Sequence, residues 1–223
     1  GGSRRVSAMD LRWSAAVIEA AYQPAAAIGT READGAWTSS CSSPEIVCWM
    51  LETLAVARGC RVLEIGSGTG WNAALLSCLA GNPKFVHSID IQPDVIVEAQ
   101  RHLRRAGITE CRLRAADGRN GWTTAAPFDR IIATAACPTV FSSFTDQLAE
   151  GGRLVLPIQI KGMNTPILWI DRHKDVLSGG FAGHAHFMSM IGQPEDGKTK
   201  DMERRWRSAL KTVRPLPWRN GDD

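Results

Sequence analysis

The stretch Val62-Leu63-Glu64-Ile65-Gly66-Ser67-Gly68-Thr69-Gly70 decides the fold. A short apolar strand, Arg61–Ile65, runs into three glycines at alternate positions, and a helical pattern follows through Leu79. Glycines there let the backbone turn sharply and let a ligand lie against it. The exposed amides and the following helix N-terminus suit a polar or anionic group. The spacing is G-x-G-x-G rather than the G-x-G-x-x-G of dinucleotide folds. No Lys-Ser/Thr follows the glycines, so the loop is not a P-loop.

Outward from this loop, strand and helix patterns alternate. Phe85–Asp90 reads as a strand and Pro93–Ala106 as a helix. Cys111–Ala115, Asp129–Thr134 and Gly152–Ile158 read as strands, with Phe141–Ala149 helical. Such alternation means parallel pairing with right-handed crossovers, hence an α/β doubly wound, mostly parallel sheet. Ile167–Arg172 and Phe181–Met190 read as two more strands, joined through Lys174-Asp175 and Gly179-Gly180. Their short connection predicts an antiparallel hairpin at one edge of a seven-stranded sheet.

Upstream, residues 10–22 read as an amphipathic helix, with Leu11, Ala15, Ile18 and Tyr22 on one side. Residues 23–44 are loop-like and end in the hydroxyl-rich Thr38-Ser39-Ser40-Cys41-Ser42-Ser43-Pro44. Pro44 suits a first helical turn, and Ile46, Val47, Met50, Leu51 and Leu54 recur at helical spacing. Four segments follow: 1–3, which reads as a tag remnant; 4–44, an N-terminal helix and substrate-facing loop; 45–192, the core; and 193–223, a basic helix or tail. From Lys198 to Arg219 there are eight Lys/Arg against two Asp/Glu. That stretch reads as an amphipathic helix with a solvated basic face.

The composition fits one globular domain: 223 residues, of which 44% are apolar and 22% charged. No apolar run approaches the roughly 20 residues of a bilayer span, and none near the start resembles a signal peptide. A net charge of +3 is too mild to imply nucleic acid. The six cysteines (41, 48, 60, 78, 111 and 137) are never closer than seven residues, so no CxxC ligand pair exists. His184 and His186 are the one close histidine pair and read as structural. The expectation is a cytoplasmic protein with reduced thiols, no metal and no membrane or nucleic-acid partner.

Asp90 ends the strand after the glycine loop, 24 residues beyond Gly66, where a carboxylate can accept both ribose hydroxyls of a nucleoside. Asp117-Gly118 follows the next strand, placing Asp117 for an adenine amino group. With Glu64, these residues mark the carboxyl ends of adjacent strands, where open α/β sheets bind ligands. A ligand cupped by carboxylates without basic partners should be neutral or positive. S-adenosylmethionine, a sulfonium, fits better than NAD or ATP.

These residues, with Pro127-Phe128-Asp129-Arg130-Ile131-Ile132 and Gly151-Gly152-Arg153-Leu154-Val155-Leu156-Pro157, resemble class I methyltransferases. More narrowly they resemble the protein-L-isoaspartate (D-aspartate) O-methyltransferases, whose S-x-P-x-x-V/M segment is matched by Ser42-Ser43-Pro44-Glu45-Ile46-Val47. The resemblance spans roughly residues 36–192. It implies S-adenosylmethionine as methyl donor, S-adenosylhomocysteine as product, and cofactor contacts at Glu64, Gly66, Ser67, Gly68, Gly70, Asp90, Ile91, Asp117 and Gly118. The implied partner is a peptide or protein carrying an Asp or isoAsp carboxylate.

The chain also departs from that family's pattern. Ser40-Cys41-Ser42-Ser43-Pro44 stands where the repair enzymes carry T-I-S-Q/A-P, and the preceding Pro-Arg-x-x-Phe is absent. Phe187-Met188-Ser189-Met190 replaces Phe-Val-Pro-Leu. With Trp71-Asn72-Ala73-Ala74-Leu75-Leu76, these features look closer to an actinobacterial offshoot. Its members methylate an Asp of a ribosomally made precursor peptide, and the ester then collapses to an aspartimide. The sequence reading therefore prefers a precursor Asp as acceptor, with repair of isoaspartyl proteins as the alternative.

A carboxylate acceptor is already ionised at neutral pH and needs no strong base. The sequence offers no Cys/His or Ser/His pair with one. The work left is positioning in a dry, weakly polar site. Ser42 is the residue that the resemblance assigns to gripping the acceptor carboxylate, although a Ser ahead of Pro44 also suits a helix N-cap. Ser40, Ser43, Thr134 and Ala135 are the further acceptor-side candidates, and Trp71 suits either a place flanking the cofactor or helix packing.

Overall fold

The computed structural model describes residues 30–31, 37–39, 42–160, 164–174 and 176–191. The expected 10–22 helix, Ser40 and the basic stretch from Lys198 lie outside the described residues. Seven strands form one sheet: β1 (Val62–Ile65), β2 (Val86–Asp90), β3 (Arg112–Ala115), β4 (Phe128–Ala133), β5 (Leu148–Pro157), β6 (Thr165–His173) and β7 (Val176–Ala185). Their order is β3-β2-β1-β4-β5-β6-β7. The pairs within β1–β5 are parallel, while β6 is antiparallel to both β5 and β7. The expected doubly wound sheet with an antiparallel edge hairpin is the observed fold. A separate antiparallel pair joins Thr30–Arg31 to Trp37–Ser39.

Every residue of β1 is buried, as a parallel strand covered on both faces requires. Successive side chains point to opposite faces, so the core is split in two. Val62, Val86, Ile132, Val155 and Ile167 meet Val47, Met50, Leu51 and Leu54 of α1 (Pro44–Leu54) and Leu76 and Ala80 of α2 (Trp71–Ala80). On the other face Leu63, Ile131 and Leu154 pack with Phe128, Phe144 and Leu148. Each fully buried large apolar side chain contributes about 1.5–3 kcal/mol. The helix α3 (Pro93–Arg105) turns Val95, Ile96, Ala99 and Leu103 inward and closes with His102, Arg104 and Arg105 in its last turn.

The C-terminal end of α1 is fixed to the sheet by two arginines, Arg130 of β4, which donates to the Ala55 carbonyl at 3.0 Å, and Arg153 of β5. Arg153 donates to the Thr53 carbonyl at 3.0 Å and forks onto Asp171 at 2.6 and 2.8 Å. Its guanidinium also lies 5.0 Å from the Trp169 ring centre. The helix ends at Ala55, whose left-handed φ of 52° lets its amide close onto Leu51 and Glu52.

Two details of the sequence reading are corrected. The helix expected over Phe141–Ala149 shrinks to α4 (Ser142–Asp146), and β5 begins at Leu148 rather than Gly152. Leu148 already pairs with Phe128. A register shift then brings Arg153 opposite Arg130, absorbed at Gly151 with its φ of 71°. At the edge, β6 ends at His173 and β7 begins at Val176, with Lys174 at a φ of 54° between them. Gly179 and Gly180 belong to β7, opposite Ile170 and Trp169, where a Cβ on Gly180 would sit 2.9 Å from the Trp169 ring. Gly180 admits that indole and Gly179 the close approach of the Trp169 carbonyl, so neither serves to turn the chain.

Candidate active site

The parallel strands all deliver their carboxyl ends to one side of the sheet, and a cavity of about 570 Å³ opens there. That is within the range of small-molecule sites. The ends of β1, β2 and β3 and the loops after them line it with Gly66–Thr69, Asp90–Gln92 and Asp117-Gly118, and the residues after β4 add Thr134-Ala135. The opposite wall comes from the start of α1, with Ser42, Ser43, Ile46, Val47 and Met50, and from residues 185–191. After β7 the chain leaves the sheet edge and crosses back over the strand ends. It is held there by Ala136 N–H donating to the Met188 carbonyl at 2.8 Å and Met190 N–H to the Ala136 carbonyl at 3.0 Å.

The glycine loop is pinned from below. The Gly66 and Ser67 amides both donate to the Ile89 carbonyl, at 2.7 and 3.1 Å, and the Gly70 amide to Ser67 at 2.9 Å. Gly68 N–H donates to Asp90 Oδ2 at 3.1 Å. These amides are therefore spent within the protein rather than held out for an anion, which corrects the expectation drawn from the loop alone. The Thr134 hydroxyl donates to the Gly66 carbonyl at 2.7 Å, and a Cβ on Gly66 would collide with that hydroxyl. At Gly118 a Cβ would stand 2.5 Å from Ile65 Cγ2. Gly70, away from the cavity, instead lets α2 start against Ala99 of α3, 3.2 Å from where its Cβ would be.

Glu64 lies under the loop, not in the cavity. It is fully buried, accepting from Asn72 Nδ2 at 2.8 Å and Ser88 Oγ at 2.5 Å; Ser88 in turn meets Ser67 Oγ at 2.6 Å. Burial pushes its carboxyl up to about 7, against the lowering effect of those two hydrogen bonds and with a smaller upward push from Asp90. The chain Glu64–Ser88–Ser67, with Asn72, ties the loop to β1, β2 and α2.

Asp90 and Asp117 do face the cavity. Asp90 accepts from Gly68 N–H at one oxygen and Gln92 N–H at the other. Each oxygen keeps a further lone pair, so two ligand hydroxyls remain acceptable. Asp117 is not without a basic partner, as the sequence suggested. Arg119 grips both its oxygens, at 2.6 to 3.0 Å, and holds its carboxyl below the usual carboxylate range. Arg119 itself does not line the cavity, and among the described lining residues there is no Lys or Arg.

Ser42, half-buried, makes no hydrogen bond with another described residue, and the N-cap position of α1 falls to Ser43. The alternative task for Ser42 is therefore taken by its neighbour. Ile91, 39% exposed, offers an apolar surface beside Asp90. Of the residues singled out from sequence, Ser42, Ser43, Gly66, Ser67, Gly68, Asp90, Ile91, Asp117, Gly118, Thr134 and Ala135 converge on this cavity. Glu64 and Gly70 support it from outside. Trp71 lines it, as do Thr69, Asn72 and Gln92, which sequence reasoning left out although the first two adjoin the glycines. His186 and Phe187–Ile191 also line it, where a strand was expected.

A model of the protein-L-isoaspartate(D-aspartate) O-methyltransferase family matches residues 14–193. The chain belongs to that family. Its match to protein-L-isoaspartate O-methyltransferase 2 of Marinobacter nauticus is 39% identical over 68% of each chain. A solved protein-L-isoaspartate O-methyltransferase superimposes with a TM-score of 0.67 at 27% identity, covering 86% of this chain and 58% of that one. The fold is shared as well with an isoaspartate methyltransferase of Plasmodium falciparum in complex with S-adenosyl-L-homocysteine. That comparison has a TM-score of 0.64 and 18% identity, over 78% of this chain and 85% of that one. Against other curated relatives, from Anaeromyxobacter dehalogenans and Pyrococcus abyssi, the chain spans about half of their length, 55% and 53%. The methyltransferase fold expected from the sequence is thus the family's own.

Proposed function

We propose that this chain is an S-adenosylmethionine-dependent carboxyl O-methyltransferase. Its acceptor is the free carboxylate of an isoaspartyl residue in a protein or peptide, and its product is the methyl ester. The observation that carries this reading is the make-up of one cavity. Two carboxylates fringe the glycine loop with no Lys or Arg among the described lining residues, and the Ser42 hydroxyl, without a hydrogen bond to another described residue, stands on the other wall.

The residues fit S-adenosylmethionine. Gly66 and Gly118 let the two loops close against Thr134 and Ile65, which shapes the cradle. Asp90 keeps acceptor capacity for ribose hydroxyls, Asp117 for an adenine amino group, and Ile91 presents an apolar face to the base. When bound, this donor supplies a methyl group made electrophilic by its sulfonium. The site's negative charge favours such a cation over a nucleoside phosphate. Ser42 would donate its hydroxyl hydrogen to the acceptor carboxylate, fixing one oxygen and turning the other toward the cofactor. Ser43, Thr134 and Ala135 bound the space left for that group. No residue has to remove a proton, because the acceptor arrives ionised.

A second reading is favoured by one feature of the acceptor wall. Ser189 stands where the repair enzymes' Phe-Val-Pro-Leu ending has proline, and its hydroxyl accepts from Gln159 Nε2 at 2.9 Å. This altered wall, with the Ser40–Ser43 run, supports an ordinary Asp of a ribosomally made precursor peptide, its ester then closing to aspartimide. The relatives' names favour isoaspartate, and that reading comes first.

The test incubates the protein and S-adenosylmethionine with an isoaspartyl peptide, its Asp isomer, and a precursor peptide, followed by mass spectrometry. Gain of one methyl on the isoaspartyl peptide is expected. Methylation confined to an Asp-containing peptide, followed by loss of methanol, would establish the second reading. No methylation of any of them would overturn both.

A further inference from the structure

We infer that His186 is the acceptor-specificity residue of this cavity, supplying the imidazole against which the carboxylate-bearing part of the peptide is bound. The inference rests on the acceptor being a carboxylate, as proposed above, and deepens that reading.

Among the described residues lining the cavity, three have ionisable side chains: Asp90, Asp117 and His186. The two carboxylates follow β2 and β3. His186 comes one residue after the end of β7, on the segment that crosses back beside Ala136. The ionisable groups are therefore divided: two carboxylates where the cofactor half is built, and an imidazole where the other wall is laid down. An anionic acceptor is disfavoured by both carboxylates, and among the described lining residues His186 is the ionisable group whose ring N–H can donate a hydrogen bond to it. His186 is exposed and makes no hydrogen bond or ion pair with another described residue, so its ring is free to take one from a ligand. Its neighbours Phe187 and Met190 are half-buried apolar lining. A peptide laid over them would exclude water and strengthen a hydrogen bond from the ring.

His184 is the natural comparison. It too is exposed and only two residues away, yet its ring packs edge-on against Phe181 at 4.6 Å and it does not line the cavity. Changing either histidine to Glu alters the protein's net charge identically, so a difference between them reports position rather than overall field.

The experiment compares wild type, H186E, H186R and H184E. It reads kcat and KM with the isoaspartyl and Asp peptides, cofactor Kd by calorimetry and Tm. It also reads binding of a fluorescent acceptor peptide to protein loaded with S-adenosylhomocysteine. H186E is expected to raise peptide KM and Kd about tenfold, with kcat, cofactor Kd and Tm held within about twofold. H186R should bind the peptide at least as well as wild type, and H184E should change nothing. Equal effects from H186E and H184E, or no effect from H186E on a wild type that methylates, would overturn this inference and leave the proposed function standing. A wild type that methylates neither peptide but binds the labelled one more tightly than H186E does would overturn the function alone. Absence of both turnover and peptide binding would overturn both.

Discussion

The Thr134 hydroxyl holds the Gly66 carbonyl at 2.7 Å, so the end of β4 fixes the first glycine of the loop that follows β1. The contact explains why position 66 tolerates no side chain. Its φ is 99°, and an added Cβ would meet the same hydroxyl. Gly66→Ala should therefore raise the Kd for S-adenosylmethionine by about tenfold or more, with about 1–3 kcal/mol lost from folding. Adding Thr134→Ala would relieve the collision but not the backbone strain, so calorimetry should show only partial recovery. Unchanged affinity in the single variant would mean that the loop is not the cofactor cradle.

Ser42 stands ahead of α1 while Ser43 occupies the capping position, without a side-chain cap bond. Ser42→Ala should accordingly leave Tm within about 1 °C and cofactor Kd unaltered, because no described contact is lost. Turnover should fall by about 10- to 100-fold, the worth of one hydrogen bond to a charged group. A variant with wild-type kcat/KM would remove Ser42 from the acceptor site.

The sheet was readable because its strands are short apolar runs punctuated by glycines and acids, and periodicity reports such runs directly. The cofactor half was readable for the same reason: Gly66, Gly68, Asp90, Asp117 and Gly118 sit at strand ends that the alternation itself locates. Tertiary pairing is what the sequence concealed. Glu64 looked like a ligand-facing carboxylate, but its partners Ser88 and Asn72 lie on other elements, and only the packed sheet shows it buried. Arg119 was overlooked as the partner of Asp117 because ion pairing across a turn leaves no periodic trace. His186 read as one face of a strand, and nothing local reveals that the chain leaves the sheet there and doubles back to Ala136.

Gly183 of β7 carries Trp49 of α1 directly against its backbone; a Cβ there would overlap the indole ring. The pair seats the helix that brings Ser42 and Met50 to the cavity. Gly183→Ala should cost about 2–4 kcal/mol, as overpacking in a closed interface does. It should also impair peptide binding more than cofactor binding, because α1 contributes only to the acceptor wall. Trp49→Phe should recover much of the loss, giving a strongly non-additive double-mutant cycle in denaturant unfolding. Additive effects would show that the two positions do not share one contact.

Two buried groups oppose each other in the pH dependence of stability. Glu64 is raised from 4.5 to about 7, chiefly by burial, so the folded state holds its proton more tightly than the unfolded chain. Its contribution is present at low pH and is lost as pH rises from about 4.5 through 7. His87 is lowered from 6.5 to about 4, chiefly by burial and then by Arg112. Its ring lies between Trp122 and Phe128, at 5.1 and 5.4 Å, with the Phe85 backbone opposing the downward shift only in small part. Its contribution is present at neutral pH and is lost as pH falls from 6.5 through 4. Each is worth on the order of 3 kcal/mol, with opposite slopes over a shared window from about 4.5 to 6.5. Urea unfolding of the wild type should thus be nearly flat with pH across that window. Glu64→Gln keeps both hydrogen-bond partners while removing the titration, and should expose a stability that climbs with pH. His87→Phe keeps the edge-on ring packing and should expose one that falls. If Glu64→Gln left the profile level, this buried carboxyl would not be protonated in the native protein.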